Sequence, residues 1–174
     1  MELDRYLPIY LNDHRAGAAA GTELAERLWR RNRSGPWSTQ LQDVLEALQA
    51  EKKTLDAVRI AVGVDGGDFR RAAALVAERI SRLKPNGHFL SYSPLSRVDE
   101  LEALMAGVQT KLRLWIFLDR AKPSLPALDN FDFGPLQAQS HEELTTLGEI
   151  HEWAVRQCLV IGSNPRESKP QPGV

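Results

Sequence analysis

The sequence predicts an all-α protein, an antiparallel bundle of four long helices with one additional shorter helix. Apolar residues recur every three or four positions over runs longer than ~20 residues, the period of a helix with one buried stripe. Clusters of Gly, Pro, Asn and Ser divide those runs, stopping each helix and letting the chain reverse. No segment reads as a strand.

The first helix is expected to begin at Leu3 or Pro8 and to end at Arg31. Proline suits a first turn, whose N–H groups have no intrahelical acceptor. One stripe of this helix holds Tyr10, His14, Gly17, Gly21, Leu24 and Leu28, so an imidazole and two glycines stand where apolar side chains belong. Asn32, Gly35 and Pro36 break the helix. The second helix, residues 37–62, turns Leu41, Val44, Leu45, Leu48, Leu55, Val58 and Val62 inward. Residues 63–67, rich in glycine, form a tight connection, and Asp68 caps a shorter third helix over 69–83.

Residues 88–96 are expected as a loop whose Phe89, Leu90 and Tyr92 fold over one end of the bundle. The fourth helix covers 96–119, with Leu101, Met105, Val108, Leu112 and Trp115 inward. A proline-broken connection over 121–130 leads to the fifth helix, 132–161, with Phe133, Leu136, Leu144, Leu147, Ala154, Val155 and Cys158 inward. Residues 1–162 thus form one domain, and 163–174, with three prolines and little apolar, a disordered tail.

Bulk properties narrow the function classes. At 174 residues the chain is long enough for a sizeable core. A net charge of -1 gives no electrostatic footprint for nucleic acid or an anionic membrane. Arg27, Arg30, Arg31 and Arg33 gather where cations oppose a helix dipole, which is a structural reason for them. No apolar run approaches the ~18 residues of a membrane span. The single Cys158 excludes an internal disulfide and a cysteine-based zinc site, and it reads as an inert core thiol. With no basic-then-apolar leader after Met1, the expected location is the cytoplasm.

Chemistry is sought among polar residues on apolar faces, because burial without partners costs a few kcal/mol. His14 with its neighbour Asp13, Glu51 between Leu48 and Leu55, Lys111 one turn before Trp115, and His151 between Leu147 and Val155 are the exceptions. His14, Asp13 and Glu51 are expected to form a buried polar cluster that ties two helices together, with a general base oriented by a carboxylate as the alternative. Lys111 is expected to snorkel along its stem to the bundle end. Gly17 and Gly21 each sacrifice about 1 kcal/mol of helix propensity, and close helix packing, with Gly107 or Gly148 opposite, is the expected compensation. A ligand space beside them is the alternative.

A di-iron site of the helical kind needs two Glu-x-x-His pairs, and the chain has none. Glu149 and His151 are two apart and point about 160° from each other. If a metal binds, the candidate ligands are His14, Glu51 and His151; the expectation is no metal and no cofactor. The glycines at 63–67 lack a phosphate loop's Gly-Lys-Ser/Thr ending, and no Gly-x-Ser-x-Gly elbow occurs.

The run from Tyr10 through His14 and Gly21 to Leu24 resembles the start of a group of small bacterial hypothetical proteins. The segments beginning at Lys53, running from Arg79 to Lys84, and running from Gly107 to Trp115 resemble that group's later helices, so the likeness covers most of residues 6 to 160. It implies a ferritin-like helical bundle without an established activity, and the di-iron ligands of true ferritin-like enzymes have no matching positions here. The preferred functional expectation is a non-enzymatic, soluble bundle that binds a protein partner or small ligand. The alternative is a degenerate ferritin-like metal-binding protein or oxidoreductase built on the His/carboxylate cluster. A homodimer through the glycine face stays open beside both.

Overall fold

The computed structural model describes residues 2–64 and 94–162. Among them there are four long helices and no strand: α1 (Glu2–Arg31), α2 (Ser38–Ala61), α3 (Pro94–Ala121) and α4 (Gly134–Gly162). Two short 3₁₀ turns, Lys122–Ser124 and Pro126–Leu128, join α3 to α4, each with a proline in its first positions. The helices match the expected ones to within about two residues. The expected shorter helix over 69–83 and the tail from 163 lie outside the described residues. Of the loop expected over 88–96, residues 94–96 belong to α3 instead.

Local chemistry explains where the helices stop. Pro8 lies inside α1, which starts at Glu2, so the earlier of the two expected starts holds at the cost of one backbone hydrogen bond. At the other end the Asn32 side-chain amide donates to the Leu28 carbonyl at 2.7 Å, and the Gly35 N–H donates to the Asn32 carbonyl at 2.9 Å. Both use carbonyls that a helix end leaves without acceptor duty. α2 closes through Gly63, whose φ of 72° is left-handed. There the Val64 N–H reaches the Arg59 carbonyl at 2.8 Å and the Gly63 N–H reaches the Ile60 carbonyl at 3.1 Å. That pair of bonds is a Schellman motif, and buried Val64 folds back beside Val58 in the same apolar cluster.

α1 packs on α2 and α3, α3 packs on α4, and α2 touches α4. Burial falls into two apolar clusters. One joins Leu24 and Leu28 of α1, Leu41 and Leu45 of α2, Leu101 and Leu104 of α3, and Leu147 and Ile150 of α4. The other joins Leu7 and Leu11, Leu55 and Val58, and Trp115 and Leu118 with Phe133 just before α4. Each fully buried side chain of this size contributes about 1.5–3 kcal/mol from water exclusion. All the residues expected inward on α2 are buried except Val62, which is half-buried. On α3 the buried arc is wider than expected, adding Leu104, Leu114 and Leu118. Between the two clusters, near mid-helix on α2, α3 and α4, the interior becomes polar.

Candidate functional site

The periodicity that buries leucines also buries three charges. Glu51 lies on the α2 stripe three residues after Leu48 and four before Leu55, and is 2% exposed. Lys111 follows Val108 by three residues and precedes Trp115 by four on α3. Glu143 precedes Leu147 by four on α4 and is 4% exposed. The Lys111 ammonium donates to Oε2 of Glu51 and to Oε2 of Glu143, so one cation bridges two carboxylates from different helices. The other oxygen of each carboxylate, Oε1, is buried and has no hydrogen-bond partner among the described residues. The Trp115 indole N–H is likewise buried and unpartnered; it lies beside Glu51 and favours its ionised form without completing a hydrogen bond.

Burial is the largest influence on these acids. It pushes the Glu51 carboxyl from 4.5 up to about 7, against the pull of Lys111 and with a further push from the Glu143 charge. Glu143 is raised as well, by burial, with Lys111 opposing. Two carboxylates against one ammonium carry an excess negative charge, and near neutral pH a proton partly relieves it at Glu51.

A cavity of about 540 Å³ opens beside this cluster between α1, α2 and α3. Its polar lining includes His14, Glu51 and Lys111; its apolar wall includes Leu48, Leu55, Leu104, Val108, Leu114 and the Trp115 ring. Gly17 and Gly21 of α1 and Gly107 of α3 border it. A Cβ built on any of these three glycines meets nothing within 4 Å. His14 is half-buried, and its ring meets Tyr10 edge-on at 4.5 Å, while Tyr10 meets Phe117 at 4.9 Å. Desolvation lowers the His14 pKa, with Asp13 pulling the other way, so the imidazole is mainly neutral at pH 7. A second, apolar pocket among Leu28, Trp37 and Trp153 holds about 10 Å³, room for one water at most.

No family model, curated protein or solved structure matches this chain. The site therefore rests on its own geometry.

That geometry corrects several expectations. His14 and Glu51 do line one space, but Glu51 is held by Lys111 rather than by His14. Asp13 is exposed at the rim, because it lies next to the buried stripe of α1 instead of on it. Lys111 does not snorkel to an end; its stem is too near mid-helix, and two carboxylates hold the ammonium inside. The close packing expected of Gly17 and Gly21 is not made by any described residue, and they edge the cavity instead. His151 pairs with the exposed Glu102 at 3.1 Å and does not line the cavity. Among the described residues no three His, Cys, Asp or Glu side chains come together as a ligand set, so His14, Glu51 and His151 do not converge. Cys158 is half-buried rather than sealed in the core.

Two participants were not anticipated. Glu143 shares a stripe with Leu136, Ser140, Leu147 and Ile150, and that spacing alone would have found it. Arg59, next to Val58, donates to Asn12 Oδ1 of α1 at 2.7 Å and to Asp56 Oδ1 at 3.3 Å. Asp56 also accepts from Arg15 Nε at 2.5 Å. The arginines at the end of α1 have partners within the fold: Arg27 and Arg31 with Glu100, Arg30 with Glu26, and Arg33 over the Trp29 ring. Among the described residues no helix is long and apolar enough to cross a membrane.

Proposed function

We propose that the four long helices form an antiparallel bundle of the ferritin-like kind whose role is to bind a small organic ligand in the cavity beside Glu51 and Lys111. The observation that carries this reading is about 540 Å³ of mostly apolar space lined by Glu51 and Trp115, whose buried Oε1 and Nε1 have no partner among the described residues. Ligand sites are apolar clefts of ~300–1,000 Å³ with a few placed polar groups, and perturbed acids gather at them. Glycines on two facing helices support the same reading, since each forgoes helix propensity and gains no contact from described residues. The metal-binding alternative has less support. An ammonium already lies between the two carboxylates, where a divalent cation would bind, and the histidines are not at hand.

The test is a fragment screen by ligand-observed NMR on the full chain, repeated with Gly107→Leu, which fills the mouth of the cavity. Binders lost in the variant, with its helical circular dichroism retained, support the reading. A screen whose binders all survive Gly107→Leu, or that finds none, rejects it.

A further inference from the structure

The charges around the cavity select its ligand. Glu51 and Glu143 share the single Lys111 ammonium, which leaves one negative charge in excess beside the cavity wall. Of the remaining charged residues lining the space, Asp13 and Lys52 offset each other, and neither changes that balance. Glu51 is only 2% exposed, and its Oε1 has no donor among the described residues. An anionic ligand would add to the excess charge. A neutral alcohol could donate to the Glu51 carboxylate but would leave the charge uncompensated. A cation with N–H donors answers both needs. Leu48, Leu55, Leu104, Val108 and Leu114 leave the remainder of the ligand an apolar wall.

We propose that the cavity binds an apolar organic amine in its protonated form, its ammonium pairing with the Glu51 carboxylate and its hydrocarbon body lying along the leucine wall. This rests on the small-ligand reading above and specifies its ligand class. The groups facing Glu51 are Lys111 and Trp115 from α3, Glu143 from α4 and, across the cavity, His14 from α1. Because the ammonium needs an ionised Glu51, binding strengthens as pH rises through about 7, the range over which that carboxyl loses its proton. Desolvation holds the His14 imidazole below its ordinary 6.5, so it is mainly neutral at pH 7 and above.

Titration calorimetry of the full chain at pH 8 with octylammonium, 1-octanol and octanoate tests the assignment. Octylammonium is expected to bind once per chain at least tenfold more tightly than 1-octanol, with octanoate weakest. Glu51→Gln should bring octylammonium to the level of 1-octanol and leave 1-octanol unchanged. Should that variant lose its helical signal, the native chain supplies the second measurement: octylammonium affinity rises at least fivefold from pH 6 to pH 8 while 1-octanol stays flat. Equal or tighter binding of 1-octanol or octanoate overturns the amine assignment and leaves the cavity reading standing. Octylammonium binding that is indifferent to both Glu51→Gln and pH overturns the role of Glu51. Failure of all three probes to bind overturns both the amine assignment and the cavity reading beneath it.

Discussion

Lys111 and Arg59 are both cations drawn into the interior, with side chains 14% and 11% exposed, yet the acids they face are buried to very different depths. Lys111 faces two carboxylates that are 2% and 4% exposed, so an acidic excess is sealed away from water. Arg59 faces one carboxylate, Asp56, which is 35% exposed and also bound by Arg15. That carboxylate, unlike the two around Lys111, is reached by solvent. Asn12 accepts from Arg59 without adding charge, which ties α1 to α2, while Arg59 Nε is buried without a hydrogen-bond partner among the described residues. The Lys111 group has acceptors unmet among the described residues and borders a cavity, which Arg59 does not line. A buried ion pair is therefore no functional signal alone; the sealed acids and the bordering cavity distinguish the Lys111 group.

The largest expected effect comes from Lys111→Met, which strands two buried carboxylates. It should cost about 3–5 kcal/mol at pH 7 in urea unfolding. The loss should shrink as pH falls below 7, where the Glu51 carboxyl takes up its proton; an undiminished loss below pH 7 would show that the ammonium is not its counter-charge.

Next is the pH dependence of stability. Glu51 has a folded pKa of about 7 against 4.5 for the ordinary group, so the folded state binds a proton more strongly than the unfolded one. That contribution is fully present below pH 4.5 and is lost as pH rises through 7, an amount on the order of 3 kcal/mol. Glu143 acts in the same direction. Glu51→Gln should therefore gain on the native chain between pH 5 and pH 8 in paired denaturation curves. A constant difference would place Glu51 in a solvated setting.

Arg59→Met should cost less, about 1–2 kcal/mol, because Asp56 keeps Arg15 and water while Asn12 loses a charged donor. Chemical denaturation of Arg59→Met beside Lys111→Met measures the contrast directly, and a reversed order would refute it. Smallest is Gly17→Ala, where the added methyl meets open space and should stabilise by about 0.5–1 kcal/mol through helix propensity. A fall in melting temperature would instead reveal a close neighbour at Gly17.

The four long helices were legible because helix boundaries are local. Pro36 and Gly63 mark ends by the backbone angles they allow, and the leucines of α2 name their face by spacing. The site was legible only in its members. Glu51 and Lys111 stood out on apolar stripes, but which of them meet depends on how three helices rotate and align, which no single stripe records. His14 was therefore matched with Glu51, while the actual counter-ion came from α3 and the second acid, Glu143, from α4. The glycine stripe announced its lost propensity, but spacing could not separate a tight contact from a void.

The position of the Lys111 layer has a further consequence for assembly. Leucine-rich helices that run through two apolar clusters could slide past one another by a turn, ~5.4 Å, with only modest loss of contact area. Here such a slip of α3 would carry the ammonium away from both acids and bring an apolar neighbour such as Val108 or Trp115 opposite them. The resulting uncompensated buried charges cost several kcal/mol. One lysine thus acts as an index mark along the helices, penalising every longitudinal misalignment that the leucines alone would tolerate.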